Sequence, residues 1–166
     1  MDRRQIATVL VLQELGIEPK LDLFRDRLVV QKAIYLAQAA GCDLGYYYGW
    51  YLRGPYCSPL ARDMFATVED LLGFEEAVRG FELDADSREC LTQVKELIAP
   101  PTDPHAFARR LELLASVHFL IKREQVPEST PSAVAQRLKL FGKDFDAKDV
   151  AGAIDGLRRA GLLNAA

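Results

Sequence analysis

The sequence lacks the clustered side chains that metal sites, nucleophilic enzymes and nucleotide-binding proteins need. Its two histidines, His105 and His118, lie far apart, and neither belongs to an H-E-x-x-H pattern. No G-x-S-x-G elbow and no glycine-rich phosphate loop occurs. His118 falls on the apolar stripe of its predicted helix, which favours a hydrogen-bonded core histidine. We therefore expect no metal, no cofactor and no enzymatic activity.

The chain also lacks an excess of positive charge and a long apolar run. The formal net charge is -3, so nucleic acid or an anionic membrane would attract it only through a local basic patch. A helix needs about 20 apolar residues to span a bilayer. The most apolar stretch, residues 111–121, is shorter than that, so we expect no membrane segment. The three cysteines, Cys42, Cys57 and Cys90, form no C-x-x-C pair and predict reduced thiols in a cytoplasmic protein.

The segment 26–41 is apolar on nearly every side of a helix and is predicted to be the central, most buried helix. Gly41 ends it. The predicted fold is mainly α, with about seven helices packed around this helix, at most a short β-hairpin, and one domain over residues 1–166.

Capping residues and helical spacing predict the other helices. The first runs over residues 3–15 behind Asp2, and a second, capped by Ser58 with Pro59 at its first position, continues to about residue 72. The sequence does not decide whether residues 73–83 form a short helix or a loop with an edge strand. Four more helices are predicted. One follows Asp84 or Asp86 and ends at Pro100–Pro101, and the next follows Asp103. A third spans Thr130 to about Phe141, and the last follows Asp146 with Asp149 as the second capping residue.

Aromatic residues are concentrated between positions 46 and 56, which favours an extended segment that Gly54–Pro55 terminates. Alternation would place Tyr46, Tyr48, Trp50 and Leu52 on one face, and Tyr47, Gly49, Tyr51 and Arg53 on the other. We expect Trp50 in the core. Tyrosine and arginine often anchor interfaces, so the residues predicted to bind a partner are Tyr47, Tyr51, Arg53 and Tyr56. The alternative is that Tyr47 and Tyr51 cover another helix.

Gln31 and Lys32 interrupt the apolar central helix, and two explanations stay open. Lys32 could extend its ammonium to water while Gln31 bonds a neighbouring backbone group. Alternatively, both could hold the turn at residues 53–56, where Pro55 lacks an N–H. The second explanation predicts side-chain contact between the helix and the turn.

Two motifs resemble the helical group that includes the Panacea domain of SocA-type antitoxins and the YwgA-like proteins. The first comprises Leu28, Gln31, Lys32, Tyr35, Leu36, Ala37 and Gln38, followed by Trp50, Arg53, Gly54, Pro55, Tyr56, Ser58 and Leu60. A weaker match covers residues 111–117 and 160–163. The resemblance implies a module that binds a protein partner, such as a toxin that it neutralises or presents to a protease, and implies no catalysis.

A winged-helix or helix-turn-helix regulator is the alternative function. Basic pairs at Arg109–Arg110, Lys122–Arg123 and Arg158–Arg159, together with the last two predicted helices, favour DNA binding. Asp146 and Asp149 oppose it, because they place negative charge where a recognition helix would meet phosphates. A cytoplasmic protein-interaction module is therefore the preferred prediction.

Overall fold

The computed structural model describes residues 1–99, 102–124, 126 and 130–164, and these residues form a mainly helical fold with one short β-hairpin. This confirms the predicted fold class. The elements are α1 (Arg3–Glu14), α2 (Phe24–Ala39), β1 (Gly49–Tyr51), β2 (Gly54–Tyr56), α3 (Ser58–Glu69), α4 (Leu71–Val78), α5 (Ala85–Ile98), α6 (Pro104–Lys122), α7 (Pro131–Leu140) and α8 (Ala147–Arg159).

Helix α2 occupies the centre of the fold, as its apolar pattern predicts. Every residue from Leu28 to Ala37 is buried, which requires neighbours on all sides of the helix. Its main neighbour is α6, and α6 packs in turn on α8, while α1 and α5 cover other parts of α2. The buried apolar side chains form one contiguous core around this pair. Among the described residues, no helix is both long and apolar enough to cross a membrane.

Most predicted caps are present. Asp2 with Gln5, and Asp146 with Asp149, form capping boxes at the starts of α1 and α8. Asp84, Asp103 and Thr130 each accept a hydrogen bond from a backbone N–H in the first turn of the helix that follows. The predicted helix end at Pro100–Pro101 lies outside the described residues.

The region after the hairpin differs from the prediction in two ways. Ser58 is the first residue of α3, and Cys57 occupies the N-cap position that was predicted for Ser58. The helix predicted to reach residue 72 is divided at Asp70, so the described residues contain eight helices where about seven were expected. The carboxylate of Asp70 accepts a hydrogen bond from Gly73 N, which starts α4 and assigns Gly73 to a helix.

The aromatic segment forms a hairpin rather than one strand that stops at Gly54–Pro55. Strands β1 and β2 pair antiparallel, with Tyr51 opposite Gly54, so Leu52 and Arg53 form the turn. Pro55 is tolerated because each strand of a two-stranded sheet has one unpaired edge. Residues 46–48 lie outside the hairpin strands, and the side chain of Gln38 bonds both the N–H and the carbonyl of Tyr46.

Candidate interaction site beside the hairpin

Gln31 attaches the end of the hairpin to the central helix. Its amide donates from Nε2 to Cys57 O over 2.8 Å, and its Oε1 accepts from Cys57 N over 3.0 Å. Both backbone groups of Cys57 are thereby satisfied by one buried side chain. The contact between helix and turn that the sequence left open is present, although Gln31 bonds Cys57 rather than groups beside Pro55.

Lys32 makes the second attachment. It is 2% exposed, and its Nζ donates to Pro55 O over 2.6 Å. The explanation in which the ammonium reaches water is therefore wrong. Burial is the main cause that lowers the pKa of Lys32 to about 7, and the positive charge of Lys143 lowers it further, while Glu112 opposes the shift.

A buried ion pair lies under the turn of the hairpin. Lys143 Nζ and Glu112 Oε1 are 2.6 Å apart, and the Lys143 and Glu112 side chains are 3% and 9% exposed. Lys143 Nζ also lies 3.5 Å from Leu52 O. Arg53 Nη1 approaches the other carboxylate oxygen only to 3.8 Å, from a side chain that is mostly exposed. Burial lowers the pKa of Lys143, and the hydrogen bond to Glu112 opposes that shift.

Gly54 lets the hairpin backbone approach α6. Its φ is +91°, a conformation that side chains other than glycine rarely adopt. A Cβ at this position would lie 2.3 Å from Ser116 Oγ and 3.7 Å from Lys32 Nζ. Ser116 Oγ is buried and has no hydrogen-bond partner among the described residues.

Tyr35 and His118 form a hydrogen-bonded pair between α2 and α6. The Tyr35 hydroxyl lies 2.7 Å from His118 Nδ1, and His118 Nε2 lies 3.2 Å from Leu162 O. Because a carbonyl oxygen only accepts, Nε2 carries the proton and Nδ1 accepts from Tyr35. Burial lowers the pKa of His118 to about 4 and raises the pKa of Tyr35. His118 is thus a neutral core histidine, as its position on the apolar stripe predicts.

Trp50 is half-buried and packs against the core, so the prediction that it lies mostly in the core is met in part. Its ring packs beside Phe119 at 5.7 Å and Phe141 at 4.7 Å between ring centroids, and Lys143 Nζ lies 5.8 Å from its centroid. Tyr46 and Tyr48, on the same predicted face, are buried, whereas Leu52 at the turn is exposed.

The residues predicted to bind a partner are accessible to different degrees. Tyr47 is 87% and Tyr51 is 58% exposed, which rules out the alternative that they simply cover another helix. Arg53 is exposed, and Tyr56 is half-buried against Tyr51, with 5.4 Å between the ring centroids. Tyr51, Arg53 and Tyr56 line one groove, and Tyr47 is not among the residues that line it.

This groove, which we call the hairpin groove, has a volume of about 500 Å³ and runs between the hairpin, the start of α2, and α3. Its described lining is mostly apolar and includes the exposed rings of Phe24 and Phe65 at the rim. The residues that line it are Leu21, Phe24, Arg27, Leu28, Val30, Gln31, Lys32, Tyr51, Leu52, Arg53, Tyr56, Leu60, Ala61, Met64 and Phe65.

Sequence reasoning missed several residues of this site. Glu112 interrupts an apolar helix in the same way as Gln31 and Lys32, and that interruption is a usable signal of a buried partner. Lys143 gives no such signal, because it lies in a loop rather than on the apolar face of a helix. Phe24 and Phe65 belong to the groove only because the start of α2 and α3 face each other there.

Two of the basic residues that favoured DNA binding are exposed and donate hydrogen bonds to backbone carbonyls of this chain. Arg109 Nη2 donates to Asp144 O, and Arg110 Nη2 donates to Leu97 O, each over 2.7 Å. Asp146 and Asp149 lie at the start of α8 in the capping box, where they carry negative charge at the end that a recognition helix would present.

A scan of the chain against protein-family models gave no match, and a search of curated proteins gave none. The resemblance to the Panacea and YwgA-like group stays a prediction.

Replacing Lys32 by Met should flatten the pH dependence of stability. The folded state lowers the pKa of Lys32 from 10.5 to about 7, so between these values the unfolded chain binds more protons and the free energy of unfolding rises with pH. We expect Lys32→Met to remove about 2 kcal/mol of the rise between about pH 7 and about pH 9.

Urea unfolding of both proteins at the two pH values measures this difference. Lys148→Met, which removes an exposed lysine from α8, should retain the wild-type pH dependence. A Lys32→Met protein with the same pH dependence as wild type would show that Lys32 is protonated equally in the folded and unfolded states.

Proposed function

We propose that this chain is a non-enzymatic protein-interaction module that binds its partner through the hairpin and the hairpin groove. One observation carries the proposal: aromatic and aliphatic side chains stay exposed around an apolar groove. Phe24, Tyr51, Leu52 and Phe65 are all large and exposed there. Apolar surface grouped in this way is typical of binding sites, and tyrosine and phenylalanine are enriched in them.

The attachment of the hairpin lowers the conformational entropy that is lost on binding. Gln31 and Lys32 hold the backbone of Pro55 and Cys57 through three hydrogen bonds. A hairpin fixed before the encounter loses little conformational entropy when a partner binds. Tyr51 and Tyr56 already stack on each other, so these two anchors need little rearrangement to form a contact surface.

The resemblance to SocA-type antitoxins supports a more specific role. A module of that kind binds a toxin in the cytoplasm and neutralises it or delivers it to a protease. The three free cysteines agree with a reducing compartment. The antitoxin-like role and the cytoplasmic location form part of the proposal.

Replacing Tyr51 and Tyr56 by Ala should abolish partner binding. Truncating an anchor of this kind costs about 2 kcal/mol or more of binding free energy, so the double variant should lose the partner that the wild type retains. The measurement is a pull-down of the tagged chain from the cytosol of its source, with the retained proteins identified by mass spectrometry. Circular dichroism checks that the double variant is folded.

Leu140→Ala is the matched control, because Leu140 is a large exposed side chain on α7 that does not line the groove. It should retain the same partner as wild type. If the folded double variant also retains that partner, the binding surface lies elsewhere on the molecule.

A further inference from the structure

The hairpin groove has cationic groups as well as apolar walls. Arg27, Lys32 and Arg53 contribute to it, whereas its described lining includes no aspartate or glutamate. A volume of about 500 Å³ is within the range of about 300 to 1,000 Å³ that is usual for small-molecule sites. The charge therefore favours an anionic group on an otherwise apolar ligand.

Lys32 has hydrogen-bonding capacity to spare. An ammonium carries three N–H donors, and Pro55 O is the one acceptor that the described residues supply. Arg53 is similarly underused, since its closest carboxylate, Glu112, is 3.8 Å away. Both side chains line the same groove.

The charges around Lys32 are also unbalanced. The carboxylate of Glu112 forms its short contact with Lys143 and lies 3.8 Å from Arg53. Lys32 forms no ion pair among the described residues, although the charges of Lys143 and Glu112 both act on it. One additional negative charge at the groove would offset the repulsion between Lys32 and Lys143.

The apolar residues that line the groove indicate the chemistry of the uncharged part of the ligand. Leu28, Leu60 and Met64 are buried residues that line the groove beyond Lys32, and they offer a surface for hydrocarbon. A phosphate ester would bring about two charges into this apolar site, whereas a carboxylate brings one and matches Lys32, the one lysine among the residues that line the groove.

We propose that the hairpin groove binds a small monocarboxylate with an apolar chain, of the chemical class of a medium-chain fatty acid. The carboxylate pairs with Lys32 and Arg53, and the chain lies along Leu28, Leu60 and Met64. This activity goes beyond protein binding. Because Tyr51 and Tyr56 line the same groove, a bound carboxylate would occupy part of the surface that we propose for the protein partner.

Titration of the purified protein with decanoate, below its micelle concentration, tests the proposal, with decanol as the uncharged probe of equal chain length. Wild type should bind decanoate about tenfold more tightly than decanol, a difference of about 1.4 kcal/mol, because only the carboxylate can accept a charge-assisted hydrogen bond from the groove. Lys32→Met should reduce this ratio to about one, and Lys148→Met should preserve it. Aromatic NMR signals of Tyr51 and Tyr56 should shift on binding.

Arg53→Gln provides a second variant, because Arg53 is exposed and its replacement should leave the fold intact. It should lower the preference for decanoate. Equal binding of decanoate and decanol by wild type, binding of neither, or an unchanged preference in folded Lys32→Met would each overturn the proposal. The titration contains no protein partner, so a negative titration would leave the proposed protein-interaction function standing. A negative pull-down would likewise leave the proposed carboxylate site standing.

Discussion

Replacing Glu112 by Gln is expected to lower the free energy of unfolding by about 3 to 5 kcal/mol near neutral pH. The amide keeps the size of the side chain but removes the charge that lies 2.6 Å from Lys143 Nζ. Lys143 is then a buried cation without a counter-charge, and breaking a buried pair on one side is costly. The effect is measured by urea unfolding.

The pH dependence of this loss identifies its cause. Burial already lowers the pKa of Lys143, and without Glu112 that pKa should fall further. A neutral amine needs no counter-charge, so the difference between wild type and Glu112→Gln should shrink as the pH rises. Glu89→Gln, on the exposed surface of α5, should change stability by less than about 0.5 kcal/mol. If Glu112→Gln lowers the free energy of unfolding equally at all pH values, the effect comes from packing rather than from charge.

Replacing Gly54 by Ala is expected to be nearly as destabilising, by about 3 kcal/mol or more. Two costs contribute. The φ of +91° is unfavourable for alanine, and the new methyl group would lie 2.3 Å from Ser116 Oγ. Thermal or urea unfolding measures the sum of the two.

Two further variants separate these costs. Gly49→Ala, in the opposite strand, places a methyl group where no atom lies within 4 Å, so it should be close to neutral. Adding Ser116→Ala to Gly54→Ala removes the hydroxyl and should recover the steric part of the loss but not the backbone part. No recovery in this double variant would show that the hydroxyl moves aside and that backbone strain dominates.

The sequence predicts the helical frame well, because the relevant signals are local. The all-round apolar pattern around Ile34 identifies the central helix, and Asp2, Asp103 and Asp146 mark helix starts through short-range capping. The break at Asp70 escapes prediction since the apolar spacing continues across it. In the structure, a non-helical backbone at Asp70 and the side-chain bond to Gly73 N identify this residue as a cap.

The site is less predictable, because it depends on contacts between distant residues. Gln31 and Lys32 stand out as polar residues in an apolar helix. The sequence does not show whether their side chains bond water or the hairpin. The turn at Leu52–Arg53 contains no glycine or asparagine, so the usual hairpin signal is missing and Gly54–Pro55 resembles a terminator. Lys143 and Glu112 lie 31 residues apart in the sequence, so no local pattern indicates that they form an ion pair.

The attachments of the hairpin have a consequence for how the molecule can evolve. Gln31 and Lys32 bond main-chain atoms of Pro55 and Cys57. Every amino acid supplies the two carbonyls, and every amino acid except proline supplies the N–H at position 57. The identities of Leu52 and Arg53 at the tip contribute nothing to these hydrogen bonds. Substitutions at the tip can accumulate while the loop keeps its position, which is how a rigid scaffold acquires new specificities.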